Sequence, residues 1–598
     1  MPTIQLPLAK GLGKDYRNAD YVDQLPVNML ATPKEVLNAA GYLRSYPGIE
    51  KAADVAGASR GAQFNTVQNL PYRVAGGKLY KGEEIRGDVE GSERVGLAHS
   101  TTSHAVSAEG VMTLYRYDGT DKVLDNWPER IVEKEGYTRT VKEWTHTAGN
   151  DDFIHFTVDD IDGETTITIT PKTAGGSVGT TIDVPEFMWN VTQSQAKPVE
   201  GTPYLTDLLV TGTKADGETV KITYTFNPNQ PEGAPAESIV DATTFKAVQI
   251  VPEVVRVYAQ YEIGYTRDIC RNRGRYIWVK DGTNTFGVTD LEDESHPDQY
   301  RPFYSAESQP DGIQGVAAWR DFVVTFGTTT TEFFSLTGAS DSSSPIYVAQ
   351  PSLMVNKGIA GVFCKCAFGE TFAILSHPAC GAPSVYTVNS GQAVPIATAT
   401  IEKIIREYPG GELAKAVMEA VRFDSHELLL IHLPKHVLCY DATASRNGQQ
   451  WAVLTTGESM GGPHTAIDYI FDSDTITVAD KSEPRTGRLR FDSSAQYGTK
   501  TEHILYTPLF KADNARIFDF EVESSSGVSQ YAEKLFISAS VDGVGYGQEK
   551  TIPWNAPFDF NRRVVWQRCG RVRKNIGFRI RIVTGAPVSL SACSIRAE

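Results

Sequence analysis

The sequence predicts an all-β protein: a β-propeller core, an inserted β-sandwich-like domain and a C-terminal β-sandwich-like domain. Three observations carry this expectation. Short apolar runs bounded by turn residues recur with centres near 73, 106, 278, 324, 374, 430 and 476. The later spacings, 46, 50, 56 and 46, lie at or a little above the ~40–50 residues of a propeller blade. Glycine (52), tyrosine (26) and phenylalanine (25) are abundant, as turn-rich β structure requires. A sandwich or barrel with evenly spaced strands is the alternative.

The clearest unit spans residues 416–442. An apolar run ends at Phe423, and a polar turn follows at Asp424-Ser425-His426-Glu427. Leu428 to Leu433 are then nearly all apolar until Pro434 and Lys435 interrupt. A run of six residues, five of them apolar, closed by a proline reads as a strand rather than a helix. Copies follow around Arg275–Lys280 and Phe322, Phe372 and Thr475, with weaker ones at Tyr72–Val74 and Ala105–Ser107. A six- or seven-bladed propeller over 61–128 and 258–495 is therefore expected.

The remaining chain divides in order. Residues 1–60 are proline-rich and read as an extended platform segment, with one short helix opening at Pro33 behind Thr32. Such a segment would lie across another surface. Residues 129–257 lengthen the gap between two runs by about 130 residues and carry 20 acids against 10 bases. Val220, Ile222, Tyr224 and Phe226 alternate with polar residues there, as Ile167 and Ile169 do with threonines, a half-buried strand pattern. Asp162-Gly163 and Asp216-Gly217 read as hairpin turns. A small sandwich inserted at a loop tip is expected.

Residues 496–598 form the last segment. Phe518, Phe520 and Val522 alternate with Asp519, Glu521 and Glu523, and Ile576, Phe578, Ile580 and Ile582 with Gly577, Arg579 and Arg581. From 561 to 598 there are nine lysines or arginines and one acid. We read Arg571, Arg573, Lys574, Arg579 and Arg581 as a basic strand for subunit or channel contacts, matched by Glu521 and Glu523.

Composition narrows the chemistry. A net charge of −16 disfavours a protein that coats DNA. All seven cysteines lie at or after Cys270 without a CxxC pair, and read as reduced thiols of a chain folded in a cytoplasm. Cys364 and Cys366 share a strand face but lack further zinc ligands. No secretory signal and no apolar run of ~18 residues is present. His426, Glu427, His432 and His436 miss the zinc-protease spacing. Asp290, Glu292, Asp293, Glu294 and Asp298 lack the glycine and closing glutamate of a calcium loop, and read as a salt-bridged loop or a helix cap. Asp159, Asp160, Asp162 and Glu164 are equally incomplete. Neither a Walker loop nor a nucleophile elbow occurs. No catalytic, cofactor-binding or metal-binding residue is assigned. A pair of carboxylates near the propeller axis keeps glycan cleavage open as an alternative.

Longer stretches carry a resemblance. GKDYRNADYVDQLPVNMLATPKE (13–35), GYLRSYPGI (41–49), GGKLYKGE (76–83), LEDESHPDQY (291–300) and AESQPDGI (306–313) resemble the tail nozzle proteins of short-tailed, lambdoid-like podoviruses of enterobacteria. That family is also called tail hub or packaged-DNA stabilisation protein. YVAQPSLMVNKGIAG (347–361), RFDSHELLLIHLPKHVLCYDA (422–442) and LFKADNARIFDFEVESS (509–525) are similar to the same family. The resemblance covers about 1–128 and 258–598, and the 129–257 block departs from it. It implies a structural, non-enzymatic virion protein, assembled in the host cytoplasm and residing in the tail. Its partners would be itself as a homohexamer, the head-to-tail adaptor ring, the tail needle, tailspike trimers and the double-stranded DNA that passes through. It would extend the channel below the portal, retain packaged DNA and conduct it on ejection. A glycan-binding or glycan-cleaving propeller is the competing reading. The 129–257 block is expected to fold alone and project from the outer wall of the ring.

Overall fold

The computed structural model describes residues 3–6, 8, 11–16, 20–36, 39, 41–128, 259–338, 344–389, 391–458 and 462–598, without the side chains of 446 and 447. Between 129 and 258 it describes the backbone of eleven strands. Two compact units result, residues 1–126 with 261–598, and residues 127–260.

Seven four-stranded antiparallel sheets dominate the first unit. Each predicted run centre falls in the second strand of one sheet: Leu70–Ala75, Ser103–Ala108, Arg275–Lys280, Phe322–Gly327, Thr371–Leu375, His426–His432 and Thr475–Asp480. We number these sheets blades 1 to 7. A second strand is covered on both faces, so it reads as an apolar run rather than an alternation. In blade 6, Leu428 to Ile431 are wholly buried. The turn before them is tighter than the sequence suggested. Asp424 and Ser425 alone span it, both with positive φ, the signature of a two-residue hairpin. His426 and Glu427 belong to the following strand.

The first strand of each blade lies innermost, beside the first strands of its neighbours. Blade 7 is completed from far away in sequence. Gly48–Asp54 pairs antiparallel with Arg485–Arg490 and supplies its fourth strand. This closes the ring of blades by hydrogen bonds between the two ends of the propeller sequence.

The N-terminal segment is therefore richer in strands than its prolines suggested. Thr3–Leu6, Met29–Thr32 and Tyr42–Ser45 join Ser589–Ala597, Arg516–Ser524 and Val564–Arg571 in a six-stranded sheet. Its surface is this same chain. The helix expected after Thr32 is absent from the described residues: Pro33 to Glu35 are irregular, and Val36 bridges Ala39. A five-stranded sheet packs against the six-stranded one: Thr501–Tyr506, Phe510–Lys511, Lys534–Ser540, Lys550–Pro553 and Asn575–Thr584. The rings of Phe520 and Phe578 stack between them at 4.0 Å. A β-bulge at Ile517/Asp519 shifts the phase in Arg516–Ser524. Ile517 is buried where Phe518 was expected. The helix Ala399–Arg406, capped by Thr398, links blades 5 and 6 and buries Ile401 and Ile405.

In the second unit, Tyr137–Thr147 pairs with Ala242–Val251, which also pairs with Thr165–Thr168. Thr181–Val184, Phe187–Val191, Thr206–Lys214 and Thr219–Phe226 form a four-stranded sheet. The alternating Val220 to Phe226 lie in its last strand. Ile169, the two Asp-Gly turns and the acidic residues 159–164 lie outside the described residues.

Candidate functional site

The propeller axis is where a propeller enzyme would hold its carboxylates, and it is lined by charge. Asp268 and Asp468 each sit within a β-bulge of an innermost strand, Thr266–Asn272 and Ala466–Asp472. A bulge re-aims a side chain that regular pleating would direct elsewhere. Asp268 accepts from Lys365 Nζ at 2.8 Å and from the backbone N–H of Val316 at 2.8 Å. It thereby joins blades 3, 4 and 5. Asp468 accepts from Ser59 Oγ at 2.6 Å and from the guanidinium of Arg94, while Arg73 donates to its carbonyl oxygen at 2.8 Å. That set joins blades 7 and 1 and the turn leading to blade 2.

Glu419 completes the cluster from blade 6. Its Oε2 accepts from the Tyr469 N–H at 3.1 Å, and its Oε1 lies 2.5 Å from His432 Nε2. Lys481 Nζ meets the other ring nitrogen of His432 at 3.3 Å. Burial, then the Asp468 charge, pushes the Glu419 carboxyl up to about 8. Burial acts the same way on Asp468, but Arg94, with Ser59 and Arg73, outweighs it and holds that carboxyl below the usual range. Burial lowers Lys481 to about 8 and, helped by Lys481 and Arg94, holds His432 well below its ordinary value.

Two carboxylates pushed apart in this way resemble an acid–base pair. Their bonding argues otherwise. Both Glu419 oxygens and both Asp468 oxygens are taken by groups of this chain. What the arrangement does is tie stretches distant in sequence together around the axis. None of Arg94, Asp268, Lys365, Glu419 and Asp468 stood out in the sequence. The available signal was an acid among apolar neighbours on a first strand, as in Ala-Ile-Asp-Tyr-Ile at 466–470.

The charged residues singled out in the C-terminal segment are divided by the structure. Arg571 ends the strand Val564–Arg571, Arg573 and Lys574 lie in the following turn, and Arg579 and Arg581 lie on Asn575–Thr584 in the other sheet. They are not one basic strand, because the turn carries the chain from one sheet to the other. Arg579 reaches Glu549 at 3.1 Å, and Arg581 reaches Glu549 at 2.6 Å and the buried Glu502 at 3.2 Å. Arg581 also stacks over Phe536. Glu521 pairs with Arg563 at 2.7 Å, not with these arginines. Glu523 is half-buried, and Arg571, Arg573 and Lys574 are exposed.

Other motifs prove structural. His426 Nδ1 lies 2.6 Å from Asp441, and His436 Nδ1 lies 2.5 Å from the Tyr408 hydroxyl. In the acidic loop, Asp298 pairs with Arg275 at 2.8 Å and Asp293 with Arg116 at 3.1 Å, while Glu294 accepts from Ser100 and Ser103. That loop is salt-bridged, as expected. All seven cysteines are free thiols. Among the described residues no cluster of ligands suits a metal, and no helix is long and apolar enough to cross a membrane.

Comparison with known proteins adds the lineage. A family described as the β-propeller of bacteriophage P22 Gp10 matches residues 4–168 and 180–494, and one described as the β-sandwich of the same protein matches 502–598. The chain belongs to the phage P22 Gp10 family. The propeller match runs through 129–168 and 180–257, so the block expected to depart from the family belongs to it, apart from the short break between the two matched stretches. The tail hub protein gp10 of Salmonella phage P22 is 48% identical over 598 residues, covering 100% of each chain. Among solved structures, the Dos1 propeller is similar at 9% identity over 74% of this chain and 95% of its own, with a TM-score of 0.31. An exo-β-1,3-galactanase from Phanerochaete chrysosporium is similar at 8% over 72% and 100%, with a TM-score of 0.20. Likeness at that level has no bearing on activity in the Gp10 family.

Proposed function

We propose that this chain is a structural subunit of a phage tail hub. In this reading six copies form a nozzle below the portal and its adaptor ring, extend the DNA channel, retain packaged DNA, hold the tail needle and border the tailspikes. The nozzle later conducts the DNA into the host. The observation that carries the reading is the 48% identity to a tail hub protein over the full length of both chains. The axial ion pairs support it: they stiffen the propeller as a wall element instead of opening it as a cleft. Arg571, Arg573 and Lys574, exposed at one turn, are proposed as subunit or channel contacts. Arg579, Arg581 and Glu521 support such contacts from within their own intrachain pairs, and Glu523 flanks them. The acidic 129–257 block, −10 per copy by 20 acids less 10 bases, is kept out of the channel because it would repel DNA. The test is reconstitution. Virions lacking the protein should lose their DNA, and the purified chain should restore retention. Retention that is normal without the chain refutes the reading.

A further inference from the structure

The C-terminal sandwich carries an apolar surface at each of two opposite ends. At one end, the loops 525–533 and 554–563 are zipped together: the Asn555 side chain accepts from Val528 N–H, and Phe558 N–H donates to the Gly527 carbonyl. They present Val528, Tyr531, Phe558 and Phe560 at 49%, 71%, 86% and 65% exposure. Three aromatic rings exposed to this degree amount to on the order of 450 Å². A patch of that size is in the range of the largest found on a typical monomer, which is often functional. Beside it opens a groove of ≈ 700 Å³, lined by Val528 and Tyr531 on one wall and by Ile49, Lys51 and Arg490 of blade 7 on the other.

At the other end, the loop between Ser540 and Lys550 projects Val541 and Val544 at 69% and 58% exposure. The N-terminal hairpin braces this loop. Lys14 N–H donates to the Asp542 carbonyl, Tyr546 donates to Gln24, and Gly13 packs directly against Gly543, where a side chain would collide with backbone. Tyr16 extends the apolar tip at 67% exposure. The strand Lys534–Ser540 runs from the first end to the second, so the two surfaces lie roughly 23 Å apart.

One end is an aromatic patch beside a groove that also carries Glu50, Lys51, Arg490, Asp492 and Glu533, and the other is a braced apolar knob. Both belong to the same rigid sandwich and lie at opposite ends of one strand. Lying at opposite ends of the strand, the two surfaces suit a head-to-tail contact between copies, which uses one of each and closes into a ring when the rotation allows. We propose that the 541–547 knob of one copy seats against the 528–531/558–560 surface of the next, and that this is the contact that builds the ring. The inference rests on the hub reading for its closure into a ring, and it assigns the occupant of both ends to a second copy of this chain.

The test uses assembled tails and a short bis-maleimide cross-linker. Four double variants combine Val541→Cys or Val544→Cys with Tyr531→Cys or Phe558→Cys, and the wild-type chain and the four single variants are controls. The expected result is a ladder of covalent multimers from at least one double variant, with every single variant migrating as the wild type. A single variant that yields a dimer overturns the head-to-tail geometry. Tails that contain multiple copies but give no ladder from any of the four pairs overturn the proposed surface while leaving the hub reading intact. Tails that contain one copy refute the hub reading itself. Val544→Asp gives a second measure: its melting should match the wild type while its incorporation into tails falls at least tenfold. Wild-type incorporation of that variant also overturns the proposal.

Discussion

Replacing Asp468 by alanine tests whether the axial charges hold the blades together. The Asp468 side chain is 2% exposed and faces Arg94, which is 20% exposed. Arg73, itself buried, donates to the Asp468 carbonyl oxygen and is lowered by that burial, with the Asp468 carboxylate its largest compensating charge. Removing the carboxylate leaves two guanidinium groups short of their main anion and strands the Ser59 hydroxyl. Breaking a buried pair from one side costs about 3–5 kcal/mol, because the surviving charge stays desolvated. The exposed pair Arg273–Asp321, with side chains 59% and 60% exposed, is the control. Asp321→Ala should cost about 0–1 kcal/mol. The assay is urea unfolding of both variants, followed by tryptophan fluorescence and by proteolysis at the blade turns. Arg94→Met combined with Asp468→Ala should cost less than the sum of the single changes, since each removes the other's stranded partner. The reasoning is refuted if Asp468→Ala unfolds within ~0.5 kcal/mol of Asp321→Ala.

Three further outcomes are expected. Between about pH 6.5 and 7.5, stability should fall as pH rises, because the Glu419 carboxyl, raised to about 8 by burial and Asp468, stays protonated in the fold after it has ionised in the unfolded chain; nearer pH 8, Lys481, lowered to about 8 by burial, contributes the opposite slope. Glu419→Gln should flatten that slope; His432, held low, contributes the opposite slope only below about pH 6.5, and an unchanged slope in calorimetry at several pH values contradicts the assignment. Arg581→Ala should destabilise the sandwich by roughly 1–3 kcal/mol, since it removes one partner of the buried Glu502 and half of the Glu549 pairing; a melting curve identical to wild type would show that these pairs are idle. Deleting residues 127–260 behind a short linker should leave folding, ring formation and DNA retention near normal. Asn126 and Tyr261 already bond each other through Asn126 Nδ2 to the Tyr261 carbonyl at 2.8 Å and Tyr261 N–H to Asn126 Oδ1 at 2.9 Å, and a deleted chain that aggregates would place the block within the core.

The second strands of the blades were legible because both of their faces are buried, so the apolar run itself is the signal. Gly48–Asp54 was not. It reads Gly-Ile-Glu-Lys-Ala-Ala-Asp, with only Gly48 and Ile49 buried, and its pairing partner lies over 400 residues away, as in Glu50↔Arg488. The same distance hid the axial pairs, since nothing local to Asp268 announces Lys365. The charge of the last segment was visible, but its distribution was not. A turn at Arg573-Lys574 separates two sheets, so a block that reads as one basic face supplies two surfaces. The phase slip at Ile517 has a similar origin: a bulge inserts a residue that alternation alone cannot locate.

We infer that this chain is a repeated structural element of the tail. Intact tails, imaged and weighed with and without the protein, test it most directly. Six copies arranged as a ring around the DNA path, missing together when the protein is absent, are the predicted result. A single copy per tail, or an isolated chain that cleaves host-surface glycan, would contradict the account.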